Sequence, residues 1–304
     1  MNSSQVIAPT FGFINNGNIC YFNSLLQCII NCKYIMHHLI NIQVPKNELQ
    51  SYFKNKFIRF CELYNSEDET NENKFIKETA MFSLEILQLL LKKHENMNIN
   101  EQQSSSEFFL YLIEELGIEH FFKIRHQINI HCGNCKNVSS KIDESYHFEM
   151  FCNNDINKDD IIDIDDFMYS VSIINDYKCE KCKKISKSMY EKQALNISKY
   201  YVILLNKYYK KVLIDFPNSF EMLVKEEVPQ NNSNNLENYR PINCVWENIS
   251  QIEHSGNLNS GHYTAICKRL EHVFEFDDMK SELTEYKKIY PSKNTYMVFY
   301  EKQY

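Results

Sequence analysis

The chain has 304 residues, of which 43% are hydrophobic and 24% are charged. This composition is typical of a globular protein, and a chain of this length buries enough apolar surface to fold without disulfide bonds. No apolar run reaches the ~18 residues of a membrane span, and the net charge of −7 argues against a dedicated nucleic-acid-binding protein. The N-terminus lacks the basic and apolar regions of a secretory signal, so we expect a protein of the cytoplasm, with the nucleus as the alternative.

The first third of the chain has the apolar periodicity of helices. Helices are predicted at 23–30, 82–90 and 107–116. Ser104 to Ser106 come just before the third helix and are expected to cap it, and Gly117 is expected to end it. Two Asn-rich stretches, 65–73 and 230–238, are predicted to be surface loops.

After about Phe121 the sequence changes to short runs of β-branched and aromatic residues. Such runs are typical of strands, which are predicted at 200–205, 263–267, 273–276 and 296–300. Helices followed by strands indicate the α+β class and not a βαβ alternation. The acidic stretch 155–166 lacks EF-hand spacing and its central glycine, which favours a solvated loop over a calcium site.

Eleven cysteines occur in a chain without a secretory signal, which favours reduced thiols, metal ligands or a nucleophile over a disulfide framework. Four of them form two CxxC pairs, Cys132/Cys135 and Cys179/Cys182, separated by 43 residues. Four thiolates in two such pairs make a closed, structural Zn²⁺ site. Four metal-free thiols are the alternative. A thioredoxin-type redox role is less favoured, because neither pair follows a strand and opens a helix.

Cys20 is the candidate nucleophile because it directly precedes a helical segment. The positive end of a helix dipole lowers the pKa of a thiol, so we expect a reactive thiolate there. His262 lies on a Gly-His-Tyr turn that enters a strand, and it can supply the imidazole base. Asp277, at the end of the next strand, can supply the carboxylate that orients the imidazole. Sequence order alone does not establish that the three residues meet.

Glycines are rare in the chain and cluster near these candidates. Of the six glycines, Gly12 and Gly17 precede the candidate nucleophile, and Gly256 and Gly261 precede the candidate base. A chain this poor in glycine is expected to keep it where the backbone turns tightly or approaches another segment closely.

The same residues lie in segments that resemble the ubiquitin-specific protease family. Residues 12–27, GFINNGNICYFNSLLQ, resemble its cysteine box, and residues 255–265, SGNLNSGHYTA, resemble its histidine box. Residues 276–278, FDD, resemble the acidic segment that follows. Residues 102–108, QQSSSEF, resemble the Gln-Gln-Asp-Ala-x-Glu-Phe segment, and 296–300 resemble the last strand. The resemblance runs from about 11 to 300, with all segments in order.

The resemblance implies a thiol protease that hydrolyses the bond after the C-terminal Gly of ubiquitin. Cys20 would then be the nucleophile, and His262 the general base and later the general acid. Asp277 would orient the histidine, and Asp278 could share that role. Asn15, five residues before the cysteine, matches the family's oxyanion-hole residue.

The resemblance also implies contacts with the substrate. Ubiquitin's tail carries two arginines before its terminal Gly-Gly, and the family's acidic segment offers carboxylates to that tail. Glu107 keeps one such carboxylate, whereas Ser104 stands where the family has Asp. Tyr263, next to the candidate base, is also expected to line the substrate site.

The architecture implied by the resemblance is papain-like, with a thumb, a palm and zinc-bearing fingers. A short tail, 1–10, would precede one catalytic domain, 11–301, with its thumb at about 11–122, its fingers at about 123–195 and its palm mostly at 196–301. The expected partners are ubiquitin or ubiquitin-conjugated proteins, without nucleic acid or membrane, and the expected state is a monomer. Three alternatives stay open: a protease for a ubiquitin-like modifier, a catalytically dead ubiquitin-binding scaffold, and a zinc-dependent interaction module.

Overall fold

A computed structural model gives the fold of the chain. It describes residues 10–64, 76–94, 103–151, 162–163, 169–206, 213–227, 239–257, 260–269, 271–284 and 289–303. The predicted loops at 65–73 and 230–238 lie outside these residues, as does the acidic stretch 155–166 except for 162–163.

Helices dominate the N-terminal part, as the periodicity predicts. They are α1 (Cys20–Ile30), α2 (Lys33–Asn41), α3 (Glu48–Tyr64), α4 (Phe82–Leu91) and α5 (Ser105–Leu116). Residues 76–80 are also helical, and a 3-10 turn, Glu119–Phe121, follows α5. The three predicted helices correspond to α1, α4 and α5. Among the residues described, none of the helices combines the length and the apolar character needed to cross a membrane.

The helix α5 ends where the sequence predicts. Gly117 follows its last residue with a φ of 64°, in the left-handed region that glycine occupies at little cost. The N–H of Gly117 donates to the carbonyl of Glu114 at 2.9 Å, and the N–H of Ile118 donates to that of Ile113 at 2.9 Å. These bonds satisfy carbonyls that the helix itself leaves open.

The strands follow from Ile124 onward. They are β1 (Ile124–His131), β2 (Val138–Ser145), β3 (Phe148–Phe151), β4 (Ile162–Asp163), β5 (Tyr169–Lys178), β6 (Ile185–Ile197), β7 (Tyr200–Asn206), β8 (Ile214–Asp215), β9 (Ser219–Glu227), β10 (Tyr239–Gly256), β11 (Gly261–Arg269), β12 (His272–Asp277), β13 (Lys280–Leu283) and β14 (Thr295–Gln303). The four predicted strands correspond to β7, β11, β12 and β14. The fold is therefore a mixed helix and sheet fold, and helices precede strands as expected.

The strands form a small sheet, a large sheet and one short pair. The small sheet has the order β2-β1-β6-β5 and is antiparallel throughout. The large sheet has the order β13-β12-β11-β10-β14-β7-β3, with β9 paired to β10. In it, β3 runs parallel to β7, and the remaining pairs are antiparallel. The short strands β4 and β8 pair in parallel.

The helix α1 lies at the centre of the fold. All eleven of its residues are buried, and it packs against β11 and β10 on one side and against α2, α4 and α5 on the other. A helix that is apolar all round is typical of a protein interior. This packing fixes both ends of α1, including the N-terminal end that carries Cys20.

The buried imidazole of His126 makes the stability of the fold depend on pH. Its side chain on β1 is 1% exposed, and burial, aided by the charge of Lys192, lowers its pKa to about 4. The folded state therefore binds fewer protons than the unfolded chain, whose histidine pKa is ~6.5. Stability from this group is present above about pH 6.5 and is lost as the pH falls toward about 4.

We expect the free energy of unfolding to fall by about 2 kcal/mol between pH 7 and pH 5 through this group alone. Urea unfolding at the two pH values measures the loss, and His126→Asn should remove most of it. His272→Asn, which changes an exposed histidine on β12, is the matched control and should keep the wild-type dependence. An equal loss in His126→Asn and wild type would contradict the prediction.

Candidate active site

Cys20 is the first residue of α1, and its side chain is 4% exposed. The preceding Ile19 occupies the N-cap position, and its carbonyl accepts hydrogen bonds from Phe22 and Asn23 at 2.9 Å each. Asn15 supports this turn, because its side-chain oxygen accepts a hydrogen bond from the N–H of Ile19 at 3.3 Å. The thiol thus stands at a helix N-terminus, as the sequence predicts.

The environment of the thiol differs from the expected one in its effect on ionisation. Burial raises the pKa of the Cys20 thiol, and the nearby Asp278 carboxylate raises it further, although a backbone hydrogen bond with Tyr263 acts against both. The expected lowering of this pKa by the helix dipole is therefore wrong for the resting site. Because desolvation outweighs the dipole here, the thiol is protonated at rest and needs a base to become a nucleophile.

His262 and Asp277 meet across neighbouring strands. His262 is the second residue of β11, and Asp277 is the last residue of β12. The Nε2 atom of the histidine lies 2.6 Å from Oδ1 of the aspartate, and both side chains are a little under half exposed. This contact holds the ring and leaves Nδ1 as the nitrogen for a second partner. Since α1 packs on β11 and Cys20 hydrogen-bonds the backbone of Tyr263, the thiol is adjacent to this pair in the fold.

The next carboxylate, that of Asp278, has different contacts. Its Oδ2 accepts a hydrogen bond from Nδ2 of Asn15 at 2.8 Å, and its Oδ1 accepts one from Nδ2 of Asn23 at 2.7 Å. The residue has a φ of 51°, in the left-handed region, at the turn between β12 and β13. The two consecutive aspartates therefore divide their contacts, one holding His262 and the other holding two asparagines.

Gly12 allows the segment before α1 to lie against this turn. A Cβ atom at Gly12 would stand 2.3 Å from the carbonyl oxygen of Asp278 and 2.4 Å from that of Met279. The next N–H along the chain, that of Phe13, donates to the same Asp278 oxygen at 2.8 Å. The expected close approach of backbone at a glycine is confirmed, and it sets how near Asn15 comes to Asp278.

Ser104 occupies the N-cap position of α5, but its side chain makes no capping hydrogen bond. Its Oγ instead lies 2.9 Å from the hydroxyl of Tyr296 and 2.8 Å from Oγ of Ser106. Ser106 is itself 2.9 Å from the Tyr296 hydroxyl, which closes a triangle of three hydroxyl groups. The predicted capping by the Ser104 side chain is wrong, because a tyrosine from β14 competes for the hydroxyl.

The other two expected substrate residues have contrasting surroundings. Glu107 is exposed on the first turn of α5, and its carboxylate accepts a hydrogen bond from the hydroxyl of Tyr111 at 3.2 Å. Tyr263 is 4% exposed, and its ring packs 4.4 Å from His254 and 5.7 Å from Tyr296, measured between ring centroids. Only the carboxylate of Glu107 is therefore open to a ligand.

Sequence analysis missed three residues of this region. Asn23, Tyr296 and His254 contact Asp278, Ser104 and Tyr263 respectively. Asn23 had a usable signal, because an amide in a helix that is otherwise apolar on every face needs a buried partner. Tyr296 and His254 lie in strands whose side-chain partners come from distant parts of the chain, and nothing in the local sequence marks them.

The two CxxC pairs come together at one end of the small sheet. The first pair forms the turn between β1 and β2, and the second forms the turn between β5 and β6. In both turns the N–H of the fourth residue after the first cysteine donates to that cysteine's carbonyl, at 3.0 Å for Lys136 and 2.8 Å for Lys183. Both lysines have a left-handed φ, of 59° and 57°. The two turns therefore share one backbone conformation.

The four sulfur atoms have the spacing of a tetrahedral metal site. Sγ of Cys132 lies 3.9 Å from that of Cys182, and Sγ of Cys135 lies 3.7 Å from that of Cys179. All four lie within 4.8 Å of one another. Zn–S bonds of about 2.3 Å in a tetrahedron place the sulfurs roughly 3.8 Å apart. The four thiols could hold a metal ion, and the set fits zinc.

Comparisons with known proteins agree with this arrangement. A family model described as "Ubiquitin carboxyl-terminal hydrolase" matches residues 11–300. "Ubiquitin carboxyl-terminal hydrolase 8" of Saccharomyces cerevisiae is 21% identical, in an alignment that covers 95% of this chain and 70% of the relative. "Probable ubiquitin carboxyl-terminal hydrolase 16" of Schizosaccharomyces pombe is 24% identical, with 91% of this chain and 64% of the relative covered.

Solved structures share the fold at low sequence identity. The SAGA Ubp8/Sgf11/Sus1/Sgf73 DUB module bound to ubiquitin aldehyde matches with a TM-score of 0.73 and 18% identity, covering 99% of this chain and 71% of that chain. The same module bound to monoubiquitin matches with a TM-score of 0.72 and 19% identity, with the same coverage.

The cysteine cluster leads to a prediction about metal content and stability. We expect purified protein to carry one zinc per chain, and Cys179→Ser to lose the metal and to melt at a lower temperature, because structural zinc contributes to the free energy of folding. Elemental analysis and thermal unfolding measure both effects. Cys244→Ser, which changes a buried cysteine of β10 outside the cluster, should keep its metal. A metal-free wild type whose melting temperature Cys179→Ser does not change would contradict the prediction.

Proposed function

The chain belongs to the ubiquitin carboxyl-terminal hydrolase family and is a cysteine-type deubiquitinase, and we propose that Cys20, His262 and Asp277 carry out its hydrolysis. The observation that carries this assignment is the 2.6 Å contact between His262 and Asp277 on the strands against which the Cys20 helix packs. The proposed reaction is cleavage of the bond after the C-terminal Gly of ubiquitin, through an acyl-enzyme on the cysteine.

The raised pKa of the Cys20 thiol defines the first step. His262 accepts the thiol proton at Nδ1 as the sulfur attacks the carbonyl carbon of the ubiquitin C-terminus, so general-base catalysis replaces a preformed ion pair. Asp277, bound to Nε2, stabilises the imidazolium that forms. The proton then passes to the leaving amine, and a water molecule activated by His262 hydrolyses the thioester.

Asn15 is proposed to donate a hydrogen bond to the oxyanion of the tetrahedral intermediate. One N–H of its amide points to Asp278 at 2.8 Å, and its oxygen accepts from Ile19 at 3.3 Å, so the amide is held at both ends. The second N–H of the amide is then the donor for the oxyanion. Preorganised donors of this kind typically contribute ~10²–10³ in rate. Asp278 thus acts by orienting this donor and does not share the role of Asp277.

The three parts of the fold are proposed to correspond to a thumb, fingers and a palm. The helices α1 to α5 would be the thumb, the small sheet the fingers, and the large sheet the palm. The strand β3 lies within the range expected for the fingers but pairs with β7 of the large sheet, so we assign it to the palm. Zinc bound by the cysteine cluster would supply a rigid cross-link between the two turns of the fingers, and it would take no part in the reaction.

Ubiquitin, free or conjugated, is the proposed partner. The neighbouring structures described above contain ubiquitin aldehyde or monoubiquitin. The exposed Glu107 supports this assignment, because a carboxylate at that position suits the two arginines of the ubiquitin tail.

The proposed nucleophile is tested by one substitution. Cys20→Ala should abolish hydrolysis of a ubiquitin C-terminal fluorogenic substrate and keep ubiquitin binding, because only the attacking sulfur is removed. A ubiquitin vinyl-sulfone probe should modify wild type and Cys244→Ala but not Cys20→Ala. Turnover retained in Cys20→Ala would reject the mechanism. A wild type that binds ubiquitin without turnover would indicate a scaffold, and modification only by the probe of a ubiquitin-like modifier would indicate that other protease.

The hydroxyl triangle leads to a prediction about Ser104. In Ser104→Asp, the hydroxyls of Tyr296 and Ser106 can both donate to the new carboxylate, which would face the arginines of the tail. A charge-assisted bond in place of a neutral one is worth ~1–2 kcal/mol, so kcat/KM should rise roughly five- to thirtyfold. Glu107→Ala should lower kcat/KM by about tenfold or more, whereas Glu114→Ala, an exposed position of the same helix, is the control.

Both effects should weaken between low and moderate salt, because screening weakens partly exposed ion pairs. An unchanged or lower rate in Ser104→Asp would show that the serine is not a missing carboxylate. A preference for the tail of a different modifier would then be the better explanation for this residue.

A further inference from the structure

A buried arginine lies far from the proposed nucleophile and touches the end of its helix. Arg269 is the last residue of β11, and its side chain is 3% exposed. Its Nη2 donates to two oxygens of Gln27, the backbone carbonyl at 3.3 Å and the side-chain Oε1 at 2.5 Å. Gln27 is 1% exposed and lies one turn before the C-terminal end of α1. A cation at this end of a helix is favoured by the helix dipole.

The same pair reaches two more segments. Nε2 of Gln27 donates to the carbonyl of Phe11 at 2.8 Å, at the start of the segment that leads to Asn15. The guanidinium of Arg269 stacks on the ring of Phe276 at 4.3 Å, and Phe276 directly precedes Asp277. One cation and one amide therefore connect all four segments that carry the proposed catalytic residues.

The chemistry of this contact makes it sensitive to geometry. A buried guanidinium costs desolvation energy that only its own hydrogen bonds and stacking repay, so the fold is stable only when these partners are in place. The planar group makes two bonds to one residue and stacks on a second, which a lysine ammonium cannot reproduce. Arg269 lies seven residues along β11 from His262, or roughly 23 Å at strand rise, so it cannot touch the reacting atoms.

We propose that Arg269, acting through Gln27, is a positioning residue that holds α1, β11, β12 and the segment leading to Asn15 in the relative placement that catalysis needs. This inference rests on the proposed function, because it presumes that those four segments supply the reacting groups. Its effect is expected in the chemical step and not in substrate binding, because the pair lies in the core away from the exposed Glu107.

The test uses Arg269→Lys, which keeps the charge, Gln27→Met, which keeps the length of the side chain, and the double variant. Each single change should lower kcat by about tenfold, since small misplacements of reacting groups carry costs of that order or more, and KM should change less than twofold. The double variant should fall no further than the weaker single variant, because both changes break one connection. Lys268→Met, which removes an ion pair to Glu247 from the neighbouring residue of β11, is the matched control and should keep wild-type kcat.

A second readout is independent of ubiquitin. The rate at which iodoacetamide alkylates Cys20 should be followed against pH, with Cys20→Ala defining the background. The midpoint should rise in Arg269→Lys and in Gln27→Met, because a displaced His262 is a weaker base for the thiol, and it should not move in Lys268→Met.

Folded Arg269→Lys and Gln27→Met proteins with a lower melting temperature but unchanged kcat and alkylation midpoint would overturn the proposal, leaving Arg269 with a structural role. Additive losses in the double variant would also overturn it. If Arg269→Lys does not fold, Gln27→Met decides the question, because it leaves the arginine in place. A wild type that fails to hydrolyse the ubiquitin substrate would count against the proposed function, whereas the alkylation midpoints still test the positioning role.

Discussion

The complete burial of α1 is the constraint on which the rest of the structure depends. A helix enclosed on every side must find partners for each polar group that it carries. Asn23 bonds Asp278, and Gln27 bonds Phe11 and Arg269, so the polar residues of α1 attach it to the segments around the site. The apolar residues supply the driving force for packing, and the few amides decide where the helix lies. Stability and the geometry of the site therefore depend on the same contacts.

The site is organised by dividing labour between neighbours in sequence. Adjacent residues at the end of β12 point in different directions, so Asp277 reaches the histidine and Asp278 reaches the asparagines. The site holds the thiol buried and protonated while keeping the histidine and its aspartate near solvent. A thiol in this state is protected from reaction until a substrate and a base are both present, which suits a nucleophile in a chain with ten other cysteines.

Elements with strong local patterns could be predicted from the sequence, and contacts between distant residues could not. The periodicity of α1, α4 and α5 and the β-branched runs of β7, β11, β12 and β14 follow from burial on one side or on both, which a single sequence records. The ionisation of Cys20 could not be predicted, because desolvation depends on packing that the sequence does not display. The hydroxyl of Ser104 binds Tyr296, 192 residues away, and no local rule anticipates that competition with capping. The eighteen residues of β10 also escaped prediction, since their polar side chains find partners on neighbouring strands.

The order of strands in the small sheet has a consequence for how the chain folds. The pairs β1–β2 and β5–β6 are hairpins between neighbours in sequence, whereas β1–β6 joins residues as far apart as Ile124 and Ile197. Hairpins form in ~1–10 μs, but pairing across a long loop first requires the loop to close, which makes it slow. The two cysteine turns stand at the tips of the two hairpins. An ion that joins them would close this loop from its far end and select the register of β1 against β6, so metal availability during synthesis would govern how fast the sheet is completed.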